Sequence, residues 1–182
     1  EASALQQLTE MIRIHRNHPS IVVWSMCNEA FFSAPEAMPG VRRLLKRMVD
    51  LSHRLDPTRP AAIGGAQRPL GEGRIDKLGD LAGYNGDGAT QPDFQNPGIA
   101  NVVSEYGSTT AERPGEYIPG WGDLEKEEGW KGRDWRSGQL IWCGFDHGSI
   151  AGSTLGKMGI VDYFRLPKRS WYWYRNNYMQ TP

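Results

Sequence analysis

The 182-residue sequence predicts an α/β fold in which the strands of a parallel sheet alternate with helices. Two observations predict it. Short runs such as residues 21–24 are apolar throughout and rich in β-branched residues, which is typical of strands buried on both faces. Between these runs lie segments whose apolar residues recur at helical spacing. Alternation of the two kinds of segment indicates consecutive βα units.

The elements follow one another in chain order. A helix with a narrow apolar stripe opens the chain and ends near Pro19, which biases the preceding residue away from the helical region. A second helix carries its apolar face from Val41 to Leu55, and a third closes the chain over residues 166–178. Residues 108–137 are predicted to form a long polar loop with one more helix. The five predicted strands are residues 21–24, 61–64, 80–84, 99–104 and 139–143.

Charge and hydropathy argue against two classes of partner. The chain has 21 Lys plus Arg and 21 Asp plus Glu, so its net charge is near zero. Proteins that bind nucleic acids or anionic membranes carry a positive field. No apolar run approaches the roughly 20 residues that span a bilayer. We therefore expect no nucleic acid and no membrane as partner. One basic cluster is interpreted as the solvated face of the second helix: Arg42, Arg43, Lys46 and Arg47.

Metal and cofactor chemistry has no signature in the sequence. The two cysteines, Cys27 and Cys143, lie in apolar strand-like runs, where a free thiol behaves as a small hydrophobe. No disulfide between them is expected. No cluster of His, Asp and Glu has the spacing of metal ligands. We expect neither a metal site nor a cofactor.

Two glutamates stand where apolar strands end. Glu29 follows Asn28 at the polar end of the first strand region, and Glu105 follows residues 102–104. Ligands of parallel α/β folds bind at the carboxyl ends of strands, and a charge there is costly unless it faces a polar cavity or a partner. Asn28 and Glu29 alone could equally be a helix cap and a solvated side chain. As a pair, Glu29 and Glu105 match the two carboxylates of glycoside hydrolysis.

The sequence around both glutamates resembles glycoside hydrolase family 2, which contains β-galactosidases, β-glucuronidases and β-mannosidases. Residues 13–21, leading into residues 24–29, resemble the acid/base region of that family. Further similarities follow in the same order as in the family. Residues 104–107 resemble its nucleophile motif and residues 141–146 its eighth strand. Residues 159–162 with 166–168 resemble the approach to its final helix. The resemblance covers nearly the whole chain. It implies an incomplete (β/α)8 TIM barrel that supplies about strands four to eight with their helices.

The resemblance also implies roles for individual residues. Glu29 matches the general acid/base at the end of strand four, and Glu105 matches the nucleophile at the end of strand seven. Asn28 matches the residue that hydrogen-bonds the sugar 2-hydroxyl. Trp142 matches the aromatic floor of the subsite for the reacting sugar, with a tryptophan of the barrel core as the alternative.

Asp146, Asn85 and Tyr106 complete the expected substrate-binding set. Asp146 is a candidate ligand of a sugar hydroxyl, and an ion pair that stabilises the fold is its equal rival. After Asn85 the family commonly has an aromatic residue that supports the nucleophile, and this chain has Gly86. Tyr84 or Tyr106 is expected to compensate.

Two further departures from the family pattern matter. Its glucuronidases grip the sugar carboxylate with an Asn-x-Lys motif before a glycine, whereas residues 156–158 precede Gly159 here. The asparagine is absent and the lysine is displaced by one position. A neutral sugar is therefore favoured, and galactose is the commonest choice in the family. His147 stands where the family often has an aromatic residue, and a structural role is expected for it.

The sequence thus predicts a retaining β-glycosidase that acts by double displacement, with β-galactosides as the favoured substrates. Alternatives are a β-glucuronidase or other family member, a different retaining barrel hydrolase, and a non-catalytic carbohydrate-binding or structural fragment. Retention requires carboxyl groups about 5–5.5 Å apart. It also calls for a raised pKa at Glu29 and an ionised Glu105.

Residues 1–182 are expected to be the C-terminal portion of a single barrel domain, without the upstream strands and the β-sandwich domains of the family. Five strands of eight leave sheet edges unpaired. Besides the carbohydrate, we therefore expect the remainder of the same polypeptide or a homo-oligomer as partner. In the isolated chain, Trp24, Met26 and Trp142 are expected to face water.

Overall fold

Five strands form one parallel sheet in the computed structural model, which describes residues 1–86, 91–107, 133–150 and 154–178. The order of the strands follows the chain, and each strand pairs in parallel with the next. This is the order of consecutive βα units in a (β/α)8 barrel, so the predicted fold class is confirmed. The strands are β1 (Trp24–Asn28), β2 (Ala61–Gly64), β3 (Leu81–Asn85), β4 (Ala100–Tyr106) and β5 (Gln139–Ile141).

The described residues contain three α-helices, α1 (Ala2–His15), α2 (Met38–Leu55) and α3 (Arg169–Tyr178). α2 begins before the predicted Val41 because Pro39 is accommodated in its first turn, where the missing N–H has no helical partner to lose. α3 begins after the predicted residue 166. The reason is a turn in which Asp162 Oδ1 accepts the N–H groups of Phe164 and Leu166, at 2.8 and 2.9 Å.

The main hydrophobic core lies between α1, α2 and one face of the sheet. Trp24 and Met26 belong to it and are 4% and 5% exposed. The Trp24 indole N–H also donates to Asp56 Oδ2 at 2.9 Å. The expectation that Trp24 and Met26 face water is therefore wrong, because both point to the helices; Trp142 is half-exposed. Other members of this core are Leu8, Ile12, Leu45, Val49, Ile63 and Ala82.

Small residues line the opposite face of the sheet, the face that a closed barrel encloses. A methyl group on Gly83 would lie 2.7 Å from Ser104 Oγ and 3.3 Å from Cα of Gly64. One on Gly64 would lie 2.8 Å from Ser25 Oγ. Contacts this short leave no room for larger side chains, so these four residues form a close-packed row across β1 to β4.

The predicted strand positions need two corrections. The first strand is Trp24–Asn28 rather than residues 21–24, and Val22 is 73% exposed. The apolar run leads up to the strand, where Arg59 Nε donates to the Ile21 carbonyl at 2.7 Å. An antiparallel hairpin, β6 (His147–Ile150) with β7 (Thr154–Gly156), follows β5. The sequence did not predict it because these glycine-rich segments lack apolar alternation. Most of the predicted loop and helix at 108–137 lies outside the described residues.

The basic cluster on α2 is a solvated helix face with local partners, as expected. Lys46 Nζ lies 2.6 Å from Asp50 Oδ1, and Arg47 pairs with Glu1. Arg42 donates to the Gly73 carbonyl at 2.8 Å. In the part of the chain that the structure describes, none of the helices combines the length and the apolar character needed to cross a membrane.

Candidate active site

Glu29 follows β1 directly and begins a short 3-10 turn, Ala30–Phe32. Its φ of 51° lies in the left-handed region, which is uncommon for a residue other than glycine. Its N–H donates to the Gly64 carbonyl at the end of β2 (3.3 Å). Gly65 permits this close approach, because a methyl group there would lie 2.5 Å from Glu29 N and 2.6 Å from Glu29 Cγ. The position of Glu29 thus depends on a glycine after the neighbouring strand.

Glu105 lies near the end of β4 and is 9% exposed. The side-chain amides of Asn28 and Asn85, which end β1 and β3, lie near enough to its carboxylate to lower its pKa. Asn85 Nδ2 also donates to Glu29 Oε1 at 3.0 Å and to Asn28 Oδ1 at 3.0 Å. One amide therefore lies between the two carboxylates, where the carboxyl ends of three strands meet.

The two carboxyl groups lie in one neighbourhood at the carboxyl ends of the strands. The negative charge of Glu29 raises the pKa of Glu105, as a like charge nearby does. The separation of about 5–5.5 Å that distinguishes retaining from inverting glycosidases stays a prediction.

Glu105 ionises less readily than an ordinary glutamate. Burial is the largest cause that raises its pKa, and the charge of Glu29 raises the pKa further, while hydrogen bonds from Asn28 and Asn85 lower it in part. We expected surroundings that favour the ionised form, and the shift has the opposite direction. The physical reason is that these two partners are neutral amides, which stabilise a carboxylate less than a cation does.

Asn85 is held in place by two side chains that the sequence analysis did not single out. Ser104 Oγ donates to Asn85 Oδ1 (2.6 Å), and the Asn85 backbone N–H donates to Gln67 Oε1 (2.9 Å). Gln67 Nε2 in turn lies 3.4 Å from Glu29 Oε1. Gln67 follows β2 closely, so the signal that indicated Glu29, a polar residue soon after a strand, also applied to Gln67.

A cavity of about 160 Å³ opens beside Glu29. Glu29, Gln67 and Asn85 form its polar wall. Its remaining lining residues in the described chain are Phe31, Phe32, Arg68 and Gly86, and Glu105 is not among them. The cavity therefore lies on the Glu29 side of the carboxylate pair.

Trp142 follows β5 and lies next to the end of β4. Its backbone N–H donates to the Tyr106 carbonyl (2.9 Å). Its half-exposed ring meets the ring of His147 edge-on at a centroid distance of 5.6 Å. His147 also contacts its own hairpin, since its Nδ1 lies 2.9 Å from the Gly148 carbonyl oxygen. Trp142 is thus partly buried beside the hairpin, and its role as the floor of a sugar subsite stays a prediction.

Asp146 forms an ion pair that is shut off from water. Lys168 Nζ lies 2.5 Å from Asp146 Oδ1, and the two side chains are 3% and 6% exposed. The Gly159 N–H donates to the same oxygen at 2.9 Å. Asp146 thereby ties the segment after β5 to the approach to α3. This geometry favours the fold-stabilising alternative over a role as a sugar ligand.

Tyr106 belongs to a second, smaller core and is 1% exposed. It packs with Val103 against Trp173 and Tyr174 of α3. In the described residues it does not line the cavity beside Glu29. These contacts make Tyr106 a support for β4, and its role toward a sugar stays a prediction.

The described residues also bear on two other chemistries, catalysis by a cysteine thiol and metal binding. Burial raises the pKa of Cys27 to about 11, so this thiol stays neutral and is a poor nucleophile. Both cysteines are free thiols. Within the described ranges, His, Cys, Asp and Glu side chains do not come together in any group of three that could hold a metal ion.

Comparison with known proteins relates this site to glycosidases. The family described as glycosyl hydrolases family 2, TIM barrel domain, matches residues 1–117. A β-glucuronidase of Paenibacillus borealis is 45% identical over 63 residues, which are 35% of this chain and 10% of that protein. A β-galactosidase of Thermoanaerobacterium thermosulfurigenes is 25% identical over 196 residues, covering 95% of this chain and 25% of that protein.

Solved structures share the fold. The crystal structure of an FMN-binding β-glucuronidase from Facaelibacterium prausnitzii L2-6 matches with a TM-score of 0.77 at 23% identity, over 100% of this chain and 32% of that one. At this identity the likeness concerns the fold alone. The chain spans less than a third of each protein named. Because the family match covers more than half of the sequence, the chain belongs to the glycosyl hydrolases of family 2.

Proposed function

We propose that the full-length protein is a retaining β-glycosidase in which Glu29 is the general acid/base and Glu105 the nucleophile. The observation that carries the proposal is the Asn85 amide at the end of β3, which donates to Glu29 and lowers the pKa of Glu105 beside it. Family membership supports it, since the relatives named above are a β-glucuronidase and a β-galactosidase.

The reaction takes place in two displacements. In the first, an oxygen of Glu105 bonds to the anomeric carbon, the glycosidic C–O bond breaks, and the proton of Glu29 passes to the leaving oxygen. In the second, Glu29 takes a proton from water, the water oxygen bonds to the anomeric carbon, and Glu105 leaves as a carboxylate. Two inversions at the anomeric carbon give net retention.

The neighbouring amides have a separate task in this mechanism. Asn85 orients Glu29 by its hydrogen bond, and Gln67 and Ser104 keep Asn85 in place. Asn28 is exposed at the end of β1 and contacts Glu105, so it is the proposed partner of the sugar 2-hydroxyl. Trp142 is the proposed floor under the reacting sugar.

For the sugar, we favour a neutral β-galactoside. The stretch 156–158 lacks the Asn-x-Lys pattern that the resemblance associates with glucuronidases. A β-glucuronide is the second candidate, because the relative with 45% identity is a β-glucuronidase.

A panel of nitrophenyl glycosides on the full-length enzyme tests both choices. We expect the β-galactoside to be hydrolysed with the highest kcat/KM and the first-formed sugar to be the β-anomer. Preference for the glucuronide would transfer the assignment to the second candidate. No turnover of any glycoside would favour a carbohydrate-binding protein and contradict the proposed function.

A further inference from the structure

We propose that Gln67 selects the oxygen of Glu29 that carries the catalytic proton, so that Oε1 accepts hydrogen bonds and Oε2 delivers the proton. Gln67 is thereby a positioning residue, since it acts through Glu29 and does not itself exchange a proton with the substrate. The inference rests on the proposed function, because only an acid/base has a proton to deliver. It adds a residue and an atomic assignment to the roles of the two glutamates.

The orientation of the Gln67 amide follows from the backbone of β3. One end of this amide lies 2.9 Å from the Asn85 backbone nitrogen. Because a backbone N–H only donates, the end that it meets is the amide oxygen, Oε1. The amide nitrogen, Nε2, is consequently the end that faces Glu29, and it lies 3.4 Å from Glu29 Oε1.

Burial keeps the Gln67 amide in this orientation. Gln67 is 3% exposed and Asn85 is 1% exposed, so water does not compete for their hydrogen bonds. Turning the Gln67 amide over would place its NH2 group against the Asn85 N–H and its oxygen against the Glu29 carboxyl group. Polar groups that face each other in this way without a partner are costly in a buried site. Gln67 therefore presents a donor to Glu29.

A second amide donates to the same oxygen of Glu29. Asn85 Nδ2 lies 3.0 Å from Glu29 Oε1, and the Ser104 hydroxyl holds the Asn85 amide by donating to its Oδ1 at 2.6 Å. The Gln67 contact is longer than the Asn85 contact, so it is the weaker of the two. Two N–H donors of the described residues thus converge on Oε1.

The two oxygens of a protonated carboxyl group are not equivalent. The carbonyl oxygen accepts hydrogen bonds, whereas the hydroxyl group donates one. N–H groups that face Oε1 repel a proton bound there, so protonated Glu29 carries its proton on Oε2. In the first displacement the O–H bond at Oε2 breaks and the proton passes to the glycosidic oxygen. In the second, Oε2 takes a proton from water.

Two substitutions of Gln67 in the full-length enzyme separate this role from a structural one. Gln67→Glu still accepts the Asn85 N–H but offers no donor to Oε1, so protonated Glu29 would donate from Oε1 to the new carboxylate. Gln67→Met has a similar volume and makes neither hydrogen bond, but it leaves the Asn85 donor on Oε1. The two variants thus change the proton and the support of Asn85 independently.

The proton-selecting role predicts that Gln67→Glu is the more damaging variant on an alkyl β-glycoside of the sugar that the nitrophenyl panel selects. It should lower kcat/KM about 10²-fold, the lower end of what a general acid contributes. Gln67→Met should lower it less than about 10-fold, because one neutral hydrogen bond is lost. On the dinitrophenyl glycoside, which needs little protonation, both losses should stay below about 3-fold when measured above the acidic limb of the pH profile.

A structural role predicts the reverse order of the two variants. The acceptor for the Asn85 N–H is kept in Gln67→Glu and lost in Gln67→Met, so damage to the fold would be greater in Gln67→Met. Gln6→Glu is the matched control, because Gln6 Nε2 donates to Glu10 Oε1 at 2.9 Å on the exposed face of α1. The same chemical change there should leave both substrates unaffected.

Active-site titration keeps the test decisive where a variant folds poorly. A 2-deoxy-2-fluoro β-glycoside that traps the glycosyl-enzyme counts the competent sites in each preparation, and kcat/KM is referred to that count. Where Gln67→Glu gives no titratable sites, the leaving-group dependence of Gln67→Met decides alone.

The outcomes are distinct. Absence of hydrolysis by the unmodified enzyme would overturn the proposed function. Equal losses on the alkyl and dinitrophenyl glycosides, or a greater loss in Gln67→Met than in Gln67→Glu on the alkyl glycoside, would overturn the role of Gln67 and leave the function standing.

Discussion

Glu29 and Glu105 are held by different means, and the difference suits the proposed roles. Glu29 has a left-handed backbone at the start of a turn, and its side chain lines an open cavity. Glu105 lies within a strand and is 9% exposed. An acid that later activates water must be reached by water, whereas a nucleophile that carries a covalent intermediate benefits from a sheltered position.

Alanine at the two positions should therefore have different consequences. Glu29→Ala in the full-length enzyme should lower kcat/KM on an alkyl glycoside by about 10²–10⁴-fold. The loss on a dinitrophenyl glycoside should be far smaller, because that leaving group needs little protonation, and azide should speed turnover and yield the β-glycosyl azide. Glu105→Ala should form no glycosyl-enzyme with either substrate. Equal losses of Glu29→Ala on both substrates would refute its role as the acid.

The raised pKa of Glu105 should be visible in the pH dependence of activity. The nucleophile must be ionised, so burial, the largest cause that raises its pKa, moves the acidic limb of the kcat/KM profile to higher pH. Glu29 as proton donor is neutral in the active form, so its charge does not act on Glu105 there. On a dinitrophenyl glycoside, the acidic limb of Glu29→Gln should therefore coincide with that of the unmodified enzyme.

Glu10→Gln is the matched control for this measurement. Glu10 lies on α1, where it accepts a hydrogen bond from Gln6 Nε2 at 2.9 Å, and its loss should leave the profile in place. An acidic limb that moves to lower pH in Glu29→Gln would show that Glu29 is charged while Glu105 titrates, and would contradict its assignment as the proton donor.

At the scale of the element, β3 brings Asn85 to the site and a buried network holds that strand. Asp76 is fully buried, accepts the Tyr84 hydroxyl at 2.9 Å and pairs with Arg74 at 2.6 Å. The Arg74 guanidinium carbon lies 4.8 Å from the ring centroid of Phe94, and Tyr84 packs on the same ring. These contacts fix the residue next to Asn85 in the strand.

Removal of the Asp76 charge should destabilise the protein in a pH-dependent way. Burial alone would raise the pKa of Asp76, but the Arg74 and Tyr84 hydrogen bonds outweigh it and lower the pKa. Because the folded-state pKa lies below that of the unfolded chain, this stabilisation is present above the unfolded-state pKa and is lost as pH falls through the folded-state pKa. Asp76→Asn should lower the free energy of unfolding by about 2 kcal/mol at neutral pH.

Denaturant unfolding of the full-length enzyme at neutral and acidic pH measures this effect. The difference between Asp76→Asn and the unmodified enzyme should shrink in acid. Asp50→Asn is the control, because its pair with Lys46 is largely exposed and exposed pairs contribute little. A difference for Asp76→Asn that is independent of pH would contradict the linkage.

The sequence predicted the parallel βα order and the place of Glu29 and Glu105 at strand ends, but not the bounds of β1, the β6–β7 pair or the surroundings of the two glutamates. Glu29 and Glu105 were predictable because a charge after an apolar strand needs a polar cavity. The place of β1 was not predictable, because residues 21–24 are more apolar than the strand itself. In the strand, Trp24 and Met26 face the helices and Ser25 lies on the opposite face. The contact of Asn85 with Glu29 depends on which strand ends meet in space. The local sequence pattern does not contain that information.

At the scale of the whole molecule, the parallel sheet of the described residues has two edge strands, β1 and β5. In the described residues, β1 pairs only with β2, and β5 is the last strand of the parallel order. Unpaired edges of a sheet whose outer face is covered by helices are prone to association. The small-residue row across β1 to β4 also faces a space that a closed barrel would fill with side chains from the other strands.

The 182-residue chain alone should therefore not behave as an active monomer. We expect it to be ordered as part of the larger polypeptide or in an assembly that covers the β1 edge and the inner face. Sedimentation combined with an activity assay on the isolated chain is the measurement. A monodisperse, cooperatively melting monomer that hydrolyses a β-glycoside at ordinary enzyme rates would refute this expectation.

The central claim, that Glu105 is the nucleophile of a retaining glycosidase, is tested most directly by trapping the covalent intermediate. A 2-deoxy-2-fluoro β-glycoside with a dinitrophenyl leaving group slows both displacements, but the activated leaving group lets the first one proceed. Incubation with the full-length enzyme, followed by proteolysis and mass spectrometry, locates the sugar on the chain. The predicted result is a single glycosyl ester on Glu105, absent from Glu105→Gln. A stable label on Glu29 or on any other residue would contradict the assignment, as would an enzyme that hydrolyses glycosides with inversion and forms no covalent adduct.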